Sequence, residues 1–199
     1  EDDDNDGIAD LLDFYPNDAT RSEFGGQKVL IVAGGGPYQS NFLWTATKNM
    51  ANYAYSALKF QGLSDQDIVY LSEEVRPEVD GVPTTSSILN AIEGLADGES
   101  VTSEVLIYFV DHGGDGVFKV DATTLLAAEQ VKTALDNLQS KGSIETIFVY
   151  DACQSGSFVP LLANSSYQRT VVASAGGDQP AVFAQRGYTS FSFFFWSSF

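Results

Sequence analysis

The chain has 199 residues, 44% of them hydrophobic, and carries 27 acidic against 10 basic side chains, for a formal net charge of -17 and a pI near 4.1. That length and apolar content bury one good core, while the charge excludes nucleic acid and anionic lipid as ordinary partners and leaves cations and basic peptides as the natural ones. Cys153 is the only cysteine, which excludes an intrachain disulfide, and no run reaches the roughly 18 apolar residues that span a bilayer.

The first 13 residues place carboxylates at Asp2, Asp4, Asp6, Asp10 and Asp13, with Gly7 directly after the third. Alternate acidic side chains, a glycine that permits a sharp turn and a backbone carbonyl at Ile8 are the ligand pattern of an EF-hand-like calcium loop. Asp13 stands where a longer glutamate is usual. The alternative reading is a solvated acidic linker. The run DGIADLLDFYPND resembles the aspartate-rich repeats of thrombospondin type 3 modules over about the first 18 residues. That resemblance implies bound Ca2+ and a secreted, periplasmic or cell-surface setting. Residues 1–26 are read as this leader and connector, and residues 27–199 as the main domain.

From Lys28 onward strand-like and helix-like segments alternate. Apolar runs at 29–33, 68–71, 105–110, 146–150 and 170–174 lack polar alternation, as strands covered on both faces do. Leu43, Met50, Ala54, Ala57 and Leu58 predict a helix closing near Gly62. Ile88, Ala91, Ile92 and Leu95 predict a second, and Leu125, Ala128, Val131, Leu135 and Leu138 a third, each with one apolar face. Such alternation predicts an α/β layered fold with a mainly parallel sheet flanked by helices. The Gly34–Gly35–Gly36–Pro37 run after the first strand lacks the Lys-Ser/Thr ending of a phosphate loop and is read as shaping the active-site edge. The terminal SFSFFFWSSF would expose apolar surface unless it docks, and the natural chain is expected to continue beyond it.

Two strands end in reactive residues. VLIYFVDHGG carries the only histidine, His112, and TIFVYDACQSG carries Cys153. Functional groups of an open parallel sheet gather beyond the carboxyl ends of its strands. A thiol with an ordinary pKa of about 8.5 is mostly protonated at neutral pH. An imidazole can take its proton and return it to a leaving amine. The oxyanion of the intermediate needs N–H donors, for which Cys153 and Gly113 are the candidates. Ser155 and Gly156 are expected to start a helix whose dipole lowers the thiol pKa, and Asp111 to orient the histidine loop.

The segments IYFVDHGGDG and FVYDACQSGSF resemble the histidine and cysteine blocks of legumain-like peptidases in the caspase-hemoglobinase group, and the likeness extends more weakly from Gln27 to Phe199. It implies a caspase-like three-layer sandwich and cysteine endopeptidase or transpeptidase activity through a thioester acyl-enzyme. His112 and Cys153 would be the dyad, Gly113 would lie in the oxyanion hole, and the substrate would be a protein or peptide. Asp151 matches an acidic position of the primary specificity pocket in legumains, and equally the aspartate of metacaspases. The pocket arginine of legumains is replaced here by Ala46 or Thr47 with Lys48 nearby, and an expected aspartate by Ser190. A pocket with Asp151 and no arginine favours cleavage after Arg or Lys over Asn, since a buried carboxylate wants a cation. Asp151 could instead cap the turn beneath the nucleophile. Alternatives to hydrolysis are a transamidase, an Asn/Asp-specific peptidase, a non-catalytic calcium-dependent surface binding module, and a redox sensor on Cys153, which lacks a resolving cysteine.

Overall fold

A computed structural model gives the architecture and describes residues 2, 3, 5, 7, 26–97, 102–164 and 166–199. The elements in chain order are β1 (Gln27–Ala33), α1 (Trp44–Phe60), β2 (Ile68–Leu71), α2 (Thr85–Gly94), β3 (Glu104–Val110), β4 (Gly113–Gly114), β5 (Val117–Lys119), β6 (Leu125–Ala127), α3 (Ala128–Gln139), β7 (Glu145–Asp151), α4 (Phe158–Leu162), β8 (Arg169–Ala173) and α5 (Phe191–Trp196). All five predicted strands exist. They form one parallel sheet in the order β2-β1-β3-β7-β8.

Successive side chains of a strand point to opposite faces, so the uninterrupted apolar runs feed two cores. Leu30, Val32, Ile107, Phe109 and Phe148 face α2, α3 and α4. Val29, Ile31, Tyr108 and Val149 face α1 and α5. The result is the α/β three-layer sandwich with a parallel central sheet that the sequence predicts. The strand order reverses next to β1, and in open α/β sheets the crevice outside the strand carboxyl ends at such a point is where ligands bind.

Local sequence accounts for the helix boundaries. Gly62 adopts a left-handed φ of 99° after α1, and Leu63 N–H donates back to Leu58 O at 3.2 Å, closing the helix as a glycine cap does. Thr84 and Ser87 exchange side-chain-to-backbone bonds of 2.9 and 2.8 Å at the start of α2. The phenylalanine-rich end docks as α5. Ser190 caps it, Trp196 is buried edge-on against Tyr108 at 5.1 Å, and Phe194 stays outside.

Two expectations need correction. The third helix starts at Ala128, because Leu125–Ala127 is a strand of a small antiparallel sheet, β4-β5-β6, in which Leu126 lies opposite Phe118. The helix-like spacing simply runs on through a strand whose outward Leu125 is exposed. After Cys153, a 3-10 turn at Ser155–Ser157 leads into an α4 of only five residues, too short to build the full dipole expected there. Among the described residues no helix is long and apolar enough to cross a membrane.

Candidate active site

β3 and β7 are parallel neighbours in register, with Val110 paired to Asp151. His112 and Cys153 each lie two residues past that pair, so the sheet delivers them to matching positions beyond its carboxyl edge. Gly113 fixes their approach. A Cβ there would come within 2.5 Å of the Cys153 carbonyl oxygen and 2.9 Å of Ala152 Cβ, and would also strike Tyr150 Oη. Only a residue without a side chain lets the histidine and cysteine blocks touch.

The turn that carries Cys153 is clamped from two sides. Gln154 adopts a left-handed conformation, φ 58°, a sparsely populated state for a residue with a Cβ that surrounding contacts must hold. Its N–H donates to Gln179 O at 2.8 Å, and Gly156 N–H to Ala175 O at 2.9 Å. On the other side Ser157 Oγ accepts from Gly116 N–H at 2.9 Å and donates to Gln154 O at 2.7 Å, tying the β4-β5 hairpin to the turn. These bonds occupy the amides of Gln154 and Gly156, while those of Ser155 and Ser157 bond within the turn.

The N–H of Cys153 forms no hydrogen bond with the described residues. That of Gly113 is also available. Lys119 N–H donates to His112 O at 3.0 Å, which makes Gly113 and Phe118 a non-hydrogen-bonded pair of the ladder, with the Gly113 N–H pointing out of the hairpin. Two backbone donors, one from each block, are thus free to meet a developing negative charge.

A residue not singled out in the sequence orients the histidine. Asn41, in the loop between β1 and α1, accepts at Oδ1 from Leu43 N–H at 3.0 Å and lies 3.1 Å from His112 Nε2. Its Nδ2 donates to Gly36 O at 2.9 Å and to Asp111 Oδ2 at 3.5 Å. With Nδ2 so placed, Oδ1 can only accept, so Nε2 of a neutral His112 carries the proton and Nδ1 keeps the lone pair. Asn41 lies four residues past Pro37, the end of the glycine run read as shaping the site edge, but an asparagine 71 residues from its partner leaves no local pattern. The glycine run has the role expected of it. A Cβ on Gly35 would collide with the Asp111 carboxylate and lie 2.6 Å from Asn41 Nδ2.

Asp111 is fully buried behind the histidine, and its Oδ2 accepts from Thr47 Oγ1 at 2.6 Å. Thr47 is therefore bonded to the histidine block. Burial pushes the Asp111 carboxyl up, against the hydrogen bond from Thr47 and the charge of His112, which pull it down. Asp151 is also fully buried. Its Oδ2 accepts from Ser192 N–H at 3.0 Å and from Ser192 Oγ, while Oδ1 accepts no hydrogen bond. Burial pushes its carboxyl up too, with the Ser192 and Ser174 hydroxyls and the Ser192 N–H opposing. Ser190 spends its hydroxyl on the start of α5, accepting from Phe193 N–H at 3.2 Å and donating to Gly187 O at 2.7 Å. Lys48 pairs with Glu74 at 3.5 Å, not with Asp151.

A carboxyl whose folded pKa is raised binds more protons folded than unfolded, so it lowers stability as pH rises through and above its unfolded value of about 4. Asp151→Asn is therefore expected to lose less thermal stability between pH 4 and 8 than the parent protein. Melting curves across that range check it, and identical pH slopes would contradict it.

Of the residues expected from the sequence to bind calcium, only Asp2 falls among the described residues. Asp4, Asp6, Ile8, Asp10 and Asp13 lie outside them. Gly7 N–H donates to Asp2 Oδ2 at 3.2 Å, and Asp2 Oδ1 is buried with no hydrogen-bond partner. An orphaned carboxylate oxygen at the first position of the loop fits a cation.

Residues 97–190, a little under half of the chain and including both blocks, match the Peptidase C13 family. No curated protein matches the chain. Among solved structures it is similar to caspase-1 from Spodoptera frugiperda, with a TM-score of 0.57 and 14% sequence identity over 82% of this chain. The chain spans 64% of the length of that caspase chain. The fold is caspase-like, and the Peptidase C13 match takes in both the histidine and the cysteine blocks.

Proposed function

We propose that the protein is a cysteine endopeptidase acting through a His112–Cys153 dyad and favouring cleavage after Arg or Lys. The observation that carries this reading is the register of β3 and β7, which brings His112 and Cys153 to matching positions with the N–H groups of Cys153 and Gly113 free beside them.

In the reaction, His112 Nδ1 takes the thiol proton and Cys153 Sγ attacks the scissile carbonyl carbon. The oxyanion accepts hydrogen bonds from the Cys153 and Gly113 N–H groups. His112 then returns the proton to the leaving amine as the C–N bond breaks, giving a thioester. Water, deprotonated by His112, hydrolyses that thioester and regenerates the thiol. An amine acceptor would give transpeptidation by the same steps. Asn41, bonded at Nε2, keeps the imidazole in the tautomer that can act as base.

The preference for a basic residue rests on Asp151. Its Oδ1 accepts no hydrogen bond, Lys48 is engaged by Glu74, and Ala46 or Thr47 stands where a legumain arginine is expected, with Ser190 in place of the second expected carboxylate. A guanidinium or ammonium brought to Oδ1 would restore the ionised form that burial disfavours. The acidic leader, through Asp2 and the carboxylates that follow it, would hold Ca2+ with oxygen ligands alone, in a secreted, periplasmic or cell-surface protein.

Fluorogenic peptides ending in Arg, Lys, Asn or Asp, tested with and without calcium against a Cys153→Ala control, read the whole proposal. Arg and Lys peptides are expected to be cleaved best, and Asp151→Ala is expected to lower their kcat/KM by about tenfold or more. Asn cleaved as well as Arg, or Asp151→Ala without effect, would remove the pocket assignment and leave the peptidase intact.

A further inference from the structure

A cavity of about 450 Å³ opens beside His112, between the loop that follows β1 and the β4-β5 hairpin. Tyr38, Ser40, His112, Gly114, Lys119 and Leu125 are among its walls, and Cys153 is not. In the chemistry proposed above, the acyl part of a substrate stays on Cys153 and the leaving amine must reach the histidine. A pocket that touches His112 but not the thiol is therefore placed for the residues that follow the scissile bond.

Its charge is unusual for this molecule. Lys119 is its cation, in a chain with 27 acidic and 10 basic side chains. Each of the other five described lysines, Lys28, Lys48, Lys59, Lys132 and Lys141, pairs with a carboxylate. Lys119 pairs with none among the described residues and instead lies over the Tyr38 ring, 5.0 Å from its centroid. An aromatic face holds an ammonium without neutralising it.

The backbone of Lys119 is also held on both sides. Its N–H bonds to His112 O at 3.0 Å, and its carbonyl oxygen accepts from Gly35 N–H at 3.1 Å. A side chain on Gly34 would collide with that same carbonyl and with the Phe118 ring. Residues directly opposed across an antiparallel ladder put their side chains on the same face, so the Lys119 ammonium and the His112 imidazole share one side of the hairpin.

We infer that Lys119 is a specificity residue for the leaving side of the substrate, taking a carboxylate carried by the first or second residue after the scissile bond. This rests on the peptidase reading for its role in turnover. The carboxylate can come from an Asp or Glu side chain or from a free C-terminus, and the two sources are separable by amidating the peptide.

The test uses matched peptides with Glu, Gln or Lys at each of those two positions, with free or amidated ends. Wild-type protein is expected to prefer Glu over Lys at one of them by about fivefold to tenfold in kcat/KM, with the preference shrinking at high salt. Lys119→Glu is expected to invert the ratio, and Lys119→Gln to bring it near unity. A preference that follows the free end and not the side chain assigns the pocket to a C-terminal carboxylate. Equal rates for Glu and Lys peptides at both positions, with either end, overturn the inference while leaving the peptidase standing.

Binding of the leaving fragment to Cys153→Ala protein, read by fluorescence anisotropy, separates the two claims. If no peptide is cleaved but acidic fragments bind and Lys119→Glu abolishes that binding, the peptidase reading fails and the pocket survives. If acidic and basic fragments bind alike, the pocket fails.

Discussion

His112→Ala is expected to lower kcat/KM for peptide cleavage by about a thousandfold or more while leaving the fold intact. A positioned acid-base group contributes about 100-fold to 10,000-fold. In the proposed reaction one imidazole serves twice, taking the thiol proton and protonating the leaving amine. His112 lies in the mouth of the site, where its ring bonds to Asn41 and supports no core packing. The melting temperature should therefore change little. Removal of the Asn41 amide gives a graded companion result. Asn41→Ala leaves the imidazole in place but frees its tautomer and orientation, so kcat is expected to fall about tenfold to hundredfold with a smaller change in KM. The expected ratio of the two losses distinguishes a base from the group that positions it. Steady-state kinetics on both variants, beside melting curves, check the pair, and a His112→Ala enzyme of near-normal kcat/KM would remove histidine from the chemistry.

Gly113→Ala has the second largest expected effect, and it acts through space alone. The added methyl would lie 2.5 Å from the Cys153 carbonyl oxygen and 2.9 Å from Ala152 Cβ, and neither atom belongs to a flexible side-chain end. Tyr150 Oη, the third neighbour, is tied to Val117 O at 3.0 Å. Overpacking of this kind costs about 1–3 kcal/mol, which lowers the melting temperature of a chain this size by roughly 2–12 °C. The functional loss should be larger than the stability loss. Relief of the clash requires moving the hairpin away from the cysteine turn, separating the two oxyanion donors and the imidazole from Sγ, and a displacement near 1 Å costs about 100-fold. Gly142→Ala, in the turn before β7 and away from the site, is the control, since nothing lies within 4 Å of its added methyl. Comparable activity in the two alanine variants would show that the approach of the blocks is not what Gly113 provides.

The five strands of the sheet and the apolar faces of α1 and α2 were legible because each is a long hydrophobic run or a regular three-and-four step. The hairpin β4-β5-β6 was not. Its strands, Gly-Gly, Val-Phe-Lys and Leu-Leu-Ala, are two or three residues long, too short to show a pattern. Leu125 even continues the spacing of α3, although it belongs to a strand that pairs with Lys119. The placement of His112, Gly113 and Cys153 at the sheet edge was legible because strand ends followed by small residues announce a loop there. Asn41 and Thr47 were not, since their roles arise from tertiary contacts to His112 and Asp111 across more than sixty positions. Lys48 shows the opposite limit. Proximity in sequence to the expected arginine attached it to the pocket, while its side chain reaches Glu74.

Asp111 and Asp151 share a place in the architecture that sequence position alone does not convey. Each ends a buried strand run, each is fully enclosed, and each keeps one carboxylate oxygen without a hydrogen bond. Unpaired buried polar atoms are uncommon in folded proteins and tend to mark functional regions. Asp111 supports the histidine from behind, through Asn41 and Thr47. Asp151 holds the start of α5 through Ser192, whose hydroxyl also accepts from Tyr108 Oη at 2.6 Å. The same carboxylate therefore links the cysteine turn to the helix beneath it.

The central claim is that Cys153 forms a covalent acyl intermediate with His112 as its base. Intact-mass analysis after rapid mixing with an activated ester of an acylated arginine tests it most directly. The account predicts one acyl adduct on Cys153, formed in a burst, absent in Cys153→Ala and strongly slowed in His112→Ala. Ester turnover without an adduct on Cys153, or an adduct that forms at the same rate in His112→Ala, would contradict it.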